Sequence, residues 1–139
     1  KASNAGVEIR LIIRGMLSLV PGLINLSENI NAIGIVDRFL EHSRFLIFCA
    51  GGNDKIYITS ADFMPRDLDF RIEVTCPVFD KSIMNEIKNI FEIQWNDNIK
   101  ARIFDEIQSN AHVNNGKKTN QSQVEIYNYL NSKCSNFLQ

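Results

Sequence analysis

The sequence predicts an α/β fold, a mixed β-sheet flanked by helices, and three observations carry it. Short runs rich in β-branched residues, VEIRLII at 7–13 and KIYITS at 55–60, have the composition of strands. The run FLIFCA and the run KIYITS are joined by Gly51-Gly52-Asn53-Asp54, a hairpin connection in which positive φ is easily reached. Asp80 then precedes Ile83, Ile87, Ile90 and Phe91, spaced to place one apolar face on a capped helix over 81–94.

The remaining elements follow in chain order. Residues 7–13 form the first strand, which ends at Arg14-Gly15, and Pro21-Gly22 with SENIN makes a long loop. A short strand is expected over 33–36, and residues 38–42 form a loop or a helical turn. Strands at 45–50 and 55–60 flank the hairpin turn, and another is expected over 71–77. Ala101 to Phe104 reads as a short strand. Residues 109–121 are an exposed Asn/Gly-rich loop, and residues 122–131 a short amphipathic helix with Val124, Tyr127, Tyr129 and Leu130.

With 139 residues, the chain has the length of one domain able to bury roughly 68–70% of its unfolded surface. Its net charge of −1 gives no electrostatic reason to expect nucleic acid, so any anion site must come from local clustering. Cys49, Cys76 and Cys134 are odd in number and widely spaced, and apolar neighbours predict buried free thiols at Cys49 and Cys76. Without an apolar run near 18 residues or a signal peptide, a soluble cytoplasmic protein is expected. The opening KASNAG, without Met, reads as a helix tail stopped at Gly6, so a fragment of a larger protein is expected.

Three stretches place polar chemistry at strand ends: Arg14-Gly15, RFLEHSR at 38–44, and SADFMPRDLDFR at 60–71. Arginine forks match phosphate oxygens, and an imidazole can donate to phosphorus-bound oxygen or attack phosphorus. Brought together, Arg14, Arg38, His42, Arg44 and Arg66 would form a cationic pocket. Against this, Arg66 and Arg71 have Asp62, Asp67 and Asp69 nearby, and Arg38 has Asp37 and Glu41. His112, in a polar loop without charged neighbours, reads as a solvated residue, and Trp95 with the helix phenylalanine reads as core. The GGND turn lacks the lysine and following helix of a phosphate loop.

The stretches LIIRG, PG…LSENI, IVDRFLEHSR, GGNDKIYITSADFMPRDLD and RIEV, in that order, resemble the last catalytic domain of the histidine-dependent bacterial polyphosphate kinases. The resemblance runs from about Gly6 to Gln123, and QSQVEIYNYL resembles that family's C-terminal helix. It implies a phospholipase D-like architecture and reversible transfer of the ATP γ-phosphate to inorganic polyphosphate through a phosphohistidine. It places that histidine in an upstream domain of the same chain, with Mg2+ bound mainly outside these residues. Arg14 matches the family arginine after the first strand, and His42, 28 residues on, its second active-site histidine; both are implied to contact nucleotide phosphates. Arg38, Arg44 and Arg66 are expected to add charge. The resemblance also implies ATP/ADP and polyphosphate as partners, a homo-oligomer at full length, and a cytoplasmic location with membrane association left open.

The chain departs from phospholipase D enzymes, which use HxK and a later GSxN. Here the corresponding residues are His42-Ser43-Arg44 and Thr59-Ser60-Ala61-Asp62. That favours a supporting role for His42 over a covalent one. Two alternatives stand beside this reading: a phosphodiesterase half-site with His42 as nucleophile, and a non-catalytic polyanion-binding module.

Overall fold

In a computed structural model, residues 1–137 are described, with side chains described through Cys134. The chain packs as two compact units, one of Lys1–Glu41 with the stretch from Phe91 onward, the other of His42–Ile90. The mixed α/β class holds, and the strands divide between two three-stranded sheets.

The first unit opens with a 3-10 turn, Ser3–Ala5, stopped at Gly6 in the left-handed region with φ 81°. Strand β1 (Ile9–Ile13) runs parallel to β2 (Ile30–Ile35), and β2 runs antiparallel to β6 (Ala101–Phe104). β2 therefore starts three residues before the expected Ile33, because Ile9 aligns with Ile30 and gives the polar start of the strand a ladder partner. As the central strand it is buried at five of its six positions, and Ile33, Ile35 and Ala101 form a core cluster against which Ile12, Trp95 and Val113 pack. Gly34 lies where a Cβ would come within 2.9 Å of the Phe104 ring, so strand and ring meet only because that position is glycine.

Between β1 and β2 the loop is tied by Ser27. Its hydroxyl donates to the Val20 carbonyl and accepts the Leu23 N–H, while its backbone carbonyl accepts the Gly22 N–H.

The second unit is an antiparallel meander of β3 (Phe45–Phe48), β4 (Lys55–Thr59) and β5 (Thr75–Val78). The expected hairpin is present, its turn passing through Gly51 and Gly52 with φ of 65° and 93°. β5 starts at Thr75 rather than Arg71, since Thr75 aligns with Thr59, the last residue of β4. A five-residue helix α1 (Pro65–Asp69), with Pro at its start, occupies the charge-rich stretch before it.

Helix α2 (Lys81–Trp95) begins in the second unit and ends in the first. The Asp80 carboxylate accepts the N–H groups of Ser82 and Ile83, as expected of its cap. Ile87 is buried, but Ile83 is half exposed and does not belong to the buried face. Helix α3 (Ser122–Phe137) runs beyond the expected Asn131, and Val124, Tyr127 and Leu130 are exposed along it. The three cysteines are free, as expected, but all are exposed rather than buried. Apolar neighbours in sequence did not bury Cys76, because β5 is an edge strand with exposed residues from Thr75 to Pro77.

The first unit is closed by Asp97, which is fully buried. Its Oδ1 accepts the N–H groups of Ile99, Lys100 and Ala101, and its Oδ2 accepts that of Ser122, tying the starts of β6 and α3 to the end of α2. Burial pushes this carboxyl up, yet the N–H groups of Ser122, Lys100 and Ile99 outweigh it and hold the pKa below the ordinary aspartate value.

Candidate functional site

Because β1 and β2 are parallel and in register from Ile9↔Ile30 to Ile13↔Gly34, their C-terminal ends emerge together. Arg14 follows one end and the segment Asp37–Glu41 follows the other. That edge of an α/β sheet is where ligands commonly bind. Arg14 is half-buried, and its Nη1 donates to the Glu41 carbonyl at 3.0 Å.

Residues 37–41 have no ladder partner, and side chains hold them instead. The Asp37 side chain is 4% exposed, its Oδ1 accepts the Arg38 N–H at 2.8 Å, and its Oδ2 accepts from Gln121 Nε2 at 2.7 Å. Lys100 Nζ stands 3.9 Å from Asp37. Gln123 Oε1 accepts the Phe39 N–H at 3.0 Å while its Nε2 donates to the Phe39 carbonyl at 2.8 Å. Glu41 takes one glutamine on each oxygen, Gln123 at 2.7 Å and Gln94 at 2.8 Å. With Asp37 and Glu41 so engaged, neither pairs with Arg38. Its guanidinium is exposed and makes no ion pair or hydrogen bond among the described residues.

In the second unit His42 is exposed, and its imidazole has no hydrogen-bond partner among the described residues. Its carbonyl accepts from Arg44 Nη1 at 3.3 Å. Arg44 is held by Asp62, with Nε to Oδ1 at 2.6 Å, and that carboxylate raises the guanidinium pKa further. The two departures from the HxK and GSxN patterns are therefore partners in one ion pair. Arg66 and Arg71 both bond Asp67, at 3.2 and 2.9 Å, so the arginine–aspartate pairing read from SADFMPRDLDFR is present, with Asp67 as the shared acceptor. Ser60 donates to Glu73 and accepts the Val74 N–H, closing that loop.

His112 is exposed, and its backbone bridges Arg102. Trp95 packs on the core cluster and stacks with Phe91 at 6.0 Å, with the Arg10 guanidinium 5.4 Å from its ring centroid. Sequence reasoning missed the glutamines, since Gln94, Gln121 and Gln123 carry no charge and match no motif. Only the family-like QSQ run pointed near them.

A family model described as polyphosphate kinase C-terminal domain 2 matches residues 1–123. The chain belongs to that family. It is 52% identical over 130 residues to the polyphosphate kinase of Vibrio vulnificus strain YJ016, covering 93% of this chain and 19% of that protein. To the polyphosphate kinase of Escherichia coli K12 it is 45% identical over 132 residues, covering 94% of this chain and 19% of the relative. The crystal structure of polyphosphate kinase from Porphyromonas gingivalis superposes with a TM-score of 0.90 at 47% identity, over 95% of this chain and 20% of that one. The chain thus spans about a fifth of the length of these relatives. Among the described residues no helix is long and apolar enough to cross a membrane.

Proposed function

We propose that this chain contributes phosphate ligands to the ATP and polyphosphate site of a polyphosphate kinase: Arg14 and Arg38 from the first unit and His42 from the second. The observation that carries this reading is that His42 and Arg38 are exposed and unengaged among the described residues, in a stretch next to heavily bonded neighbours. Exposed as they are, both groups are hydrated and can exchange that water for an anion without breaking a bond that holds the fold. Arg44 and Arg66, already bonded to carboxylates, contribute to the local field more than to direct contact.

In the proposed reaction, the bond between the γ-phosphorus and the bridging oxygen of ADP breaks as a bond to a histidine nitrogen forms. That N–P bond then breaks as a terminal polyphosphate oxygen attacks. The phosphorylated histidine lies in the rest of the protein. His42 donates a hydrogen bond to a phosphate oxygen, and Arg14 and Arg38 balance the charge of the phosphoryl group. The sequence supports this role, because Arg44, bonded to Asp62, stands where a phospholipase D nucleophile keeps its lysine. Among the described residues, no group of three His, Cys, Asp or Glu is placed to hold a metal ion.

The test is His42→Gln in the full-length protein, incubated with ATP labelled on the γ-phosphate. Turnover should fall roughly ten- to a hundred-fold, the loss of about one charge-assisted contact, while the phosphoenzyme still forms. Disappearance of the phosphoenzyme would make His42 the nucleophile and favour the phosphodiesterase-like reading.

A further inference from the structure

We infer that Gln123, acting with Gln94 on Glu41, is a positioning residue that sets the Arg14 guanidinium and the Arg38 segment in place for phosphate binding. The inference rests on the reading of the site given above and extends it to residues that touch no phosphate.

The segment from Asp37 to Glu41 cannot be held by burial. Phe39 and Leu40 are 67% and 73% exposed, so the apolar side chains at its centre do not anchor it. No strand pairs with it, and its main-chain polar groups need other partners. Gln123 supplies them in the way a neighbouring strand would, giving an acceptor to the Phe39 N–H and a donor to the Phe39 carbonyl. The same Nε2 reaches Glu41 Oε1, and Gln94, itself only 5% exposed, bonds Oε2. The Glu41 carboxylate is thereby fixed from two sides. The carbonyl of that same residue accepts from Arg14. A contiguous path of hydrogen bonds runs from Gln123 through Glu41 to Arg14, and each link lies within the first unit.

Two substitutions in the full-length protein separate this idea from the reading beneath it. Gln123→Ala removes the clamp. Gln123→Glu keeps its shape and the acceptor for Phe39 but loses both donated bonds and places a second carboxylate against Glu41. Each should lower kcat/KM for ATP roughly tenfold with only a small change in melting temperature, since the two bonds to Phe39 are exposed and the one to Glu41 is only part-buried. Glu41→Gln combined with Gln123→Glu restores a donor–acceptor pair between the two residues and should recover part of the loss. Amide hydrogen exchange at Phe39 should accelerate in Gln123→Ala, a readout independent of activity. Arg14→Ala is the control for the site itself. If Arg14→Ala abolishes turnover while both Gln123 variants match the unsubstituted protein, the clamp has no positioning role. If Arg14→Ala leaves turnover intact, the phosphate-site reading fails and the inference fails with it. A loss of activity that merely follows a fall in melting temperature, with no recovery in the double variant, would overturn positioning in favour of plain stability.

Discussion

In the second unit, Arg44 faces Asp62, and Arg66 and Arg71 share Asp67, whose side chain is only 3% exposed. In the first unit the close contacts of the carboxylates nearest Arg38 come from glutamines and a backbone N–H, with Lys100 at 3.9 Å from Asp37, and Arg38 is left facing solvent. Both stretches mix arginines with carboxylates, so residue types alone do not distinguish them. What differs is which donors reach the carboxylates. Where arginine is the close donor, its charge is neutralised within the unit; where amides and Lys100 serve the carboxylates, the neighbouring arginine remains available. The units differ in their interiors as well. Among the described residues, five of the seven buried hydrophobics, Ile30, Ala32, Ile33, Ile35 and Ala101, lie in the first unit, whereas in the second Ile58, Phe63, Phe70, Ile72, Val74 and Phe79 are exposed. The core cluster of Ile33, Ile35 and Ala101 lies in the first unit, which should therefore be the more sensitive to core substitutions.

The largest effect is expected at Asp97. Replacing it with Ala orphans four N–H groups, at Ile99, Lys100, Ala101 and Ser122, and should cost on the order of 3 kcal/mol in denaturant unfolding. The same carboxyl sets an acid limit. Its folded pKa lies below the unfolded value near 3.9, so its contribution is fully present above about pH 5. That contribution is lost as pH falls through the lower, folded value. Asp97→Asn should flatten that part of the stability–pH curve, and an unchanged acid limb would remove Asp97 from the account.

A smaller loss is expected at Gly34. A Cβ there meets the Phe104 ring at 2.9 Å, and Gly34→Ala should destabilise by about 1–3 kcal/mol, read as a lower denaturation midpoint at unchanged slope. The smallest belongs to the second unit. Arg71 is 56% exposed and Asp67 keeps Arg66 as a partner, so Arg71→Ala should cost under about 1 kcal/mol. A loss at Arg71 as large as that at Gly34 would erase the contrast between the units.

Much of the fold was legible because local chemistry decided it. The glycines at 51 and 52 set the hairpin, Asp80 capped its helix, and residues 101–104 form a strand as expected. The misses came where a partner distant in sequence decided the outcome. β2 reached back to Ile30 because β1 offered it a ladder, and β5 waited until Thr75 because β4 ended at Thr59. Cys76 was misjudged because an apolar run at a sheet edge need not be covered. The motifs made Arg14 and His42 candidates for the site, and nearby aspartates pointed to the pairing of Arg66 and Arg71. The amide clamp on residues 37–41 was not legible, because the glutamines involved lie more than 50 positions from Glu41.

The central claim is that the unengaged basic groups of this chain serve a phosphate rather than the fold. Equilibrium binding of ATP to the full-length protein carrying Arg38→Ala, compared with Arg71→Ala, tests it most directly, since neither change opens a core. The account predicts that Arg38→Ala weakens binding about ten-fold or more with no change in melting temperature, while Arg71→Ala leaves the Kd within about two-fold. Equal affinity in the two variants, or a loss confined to Arg71→Ala, would contradict it.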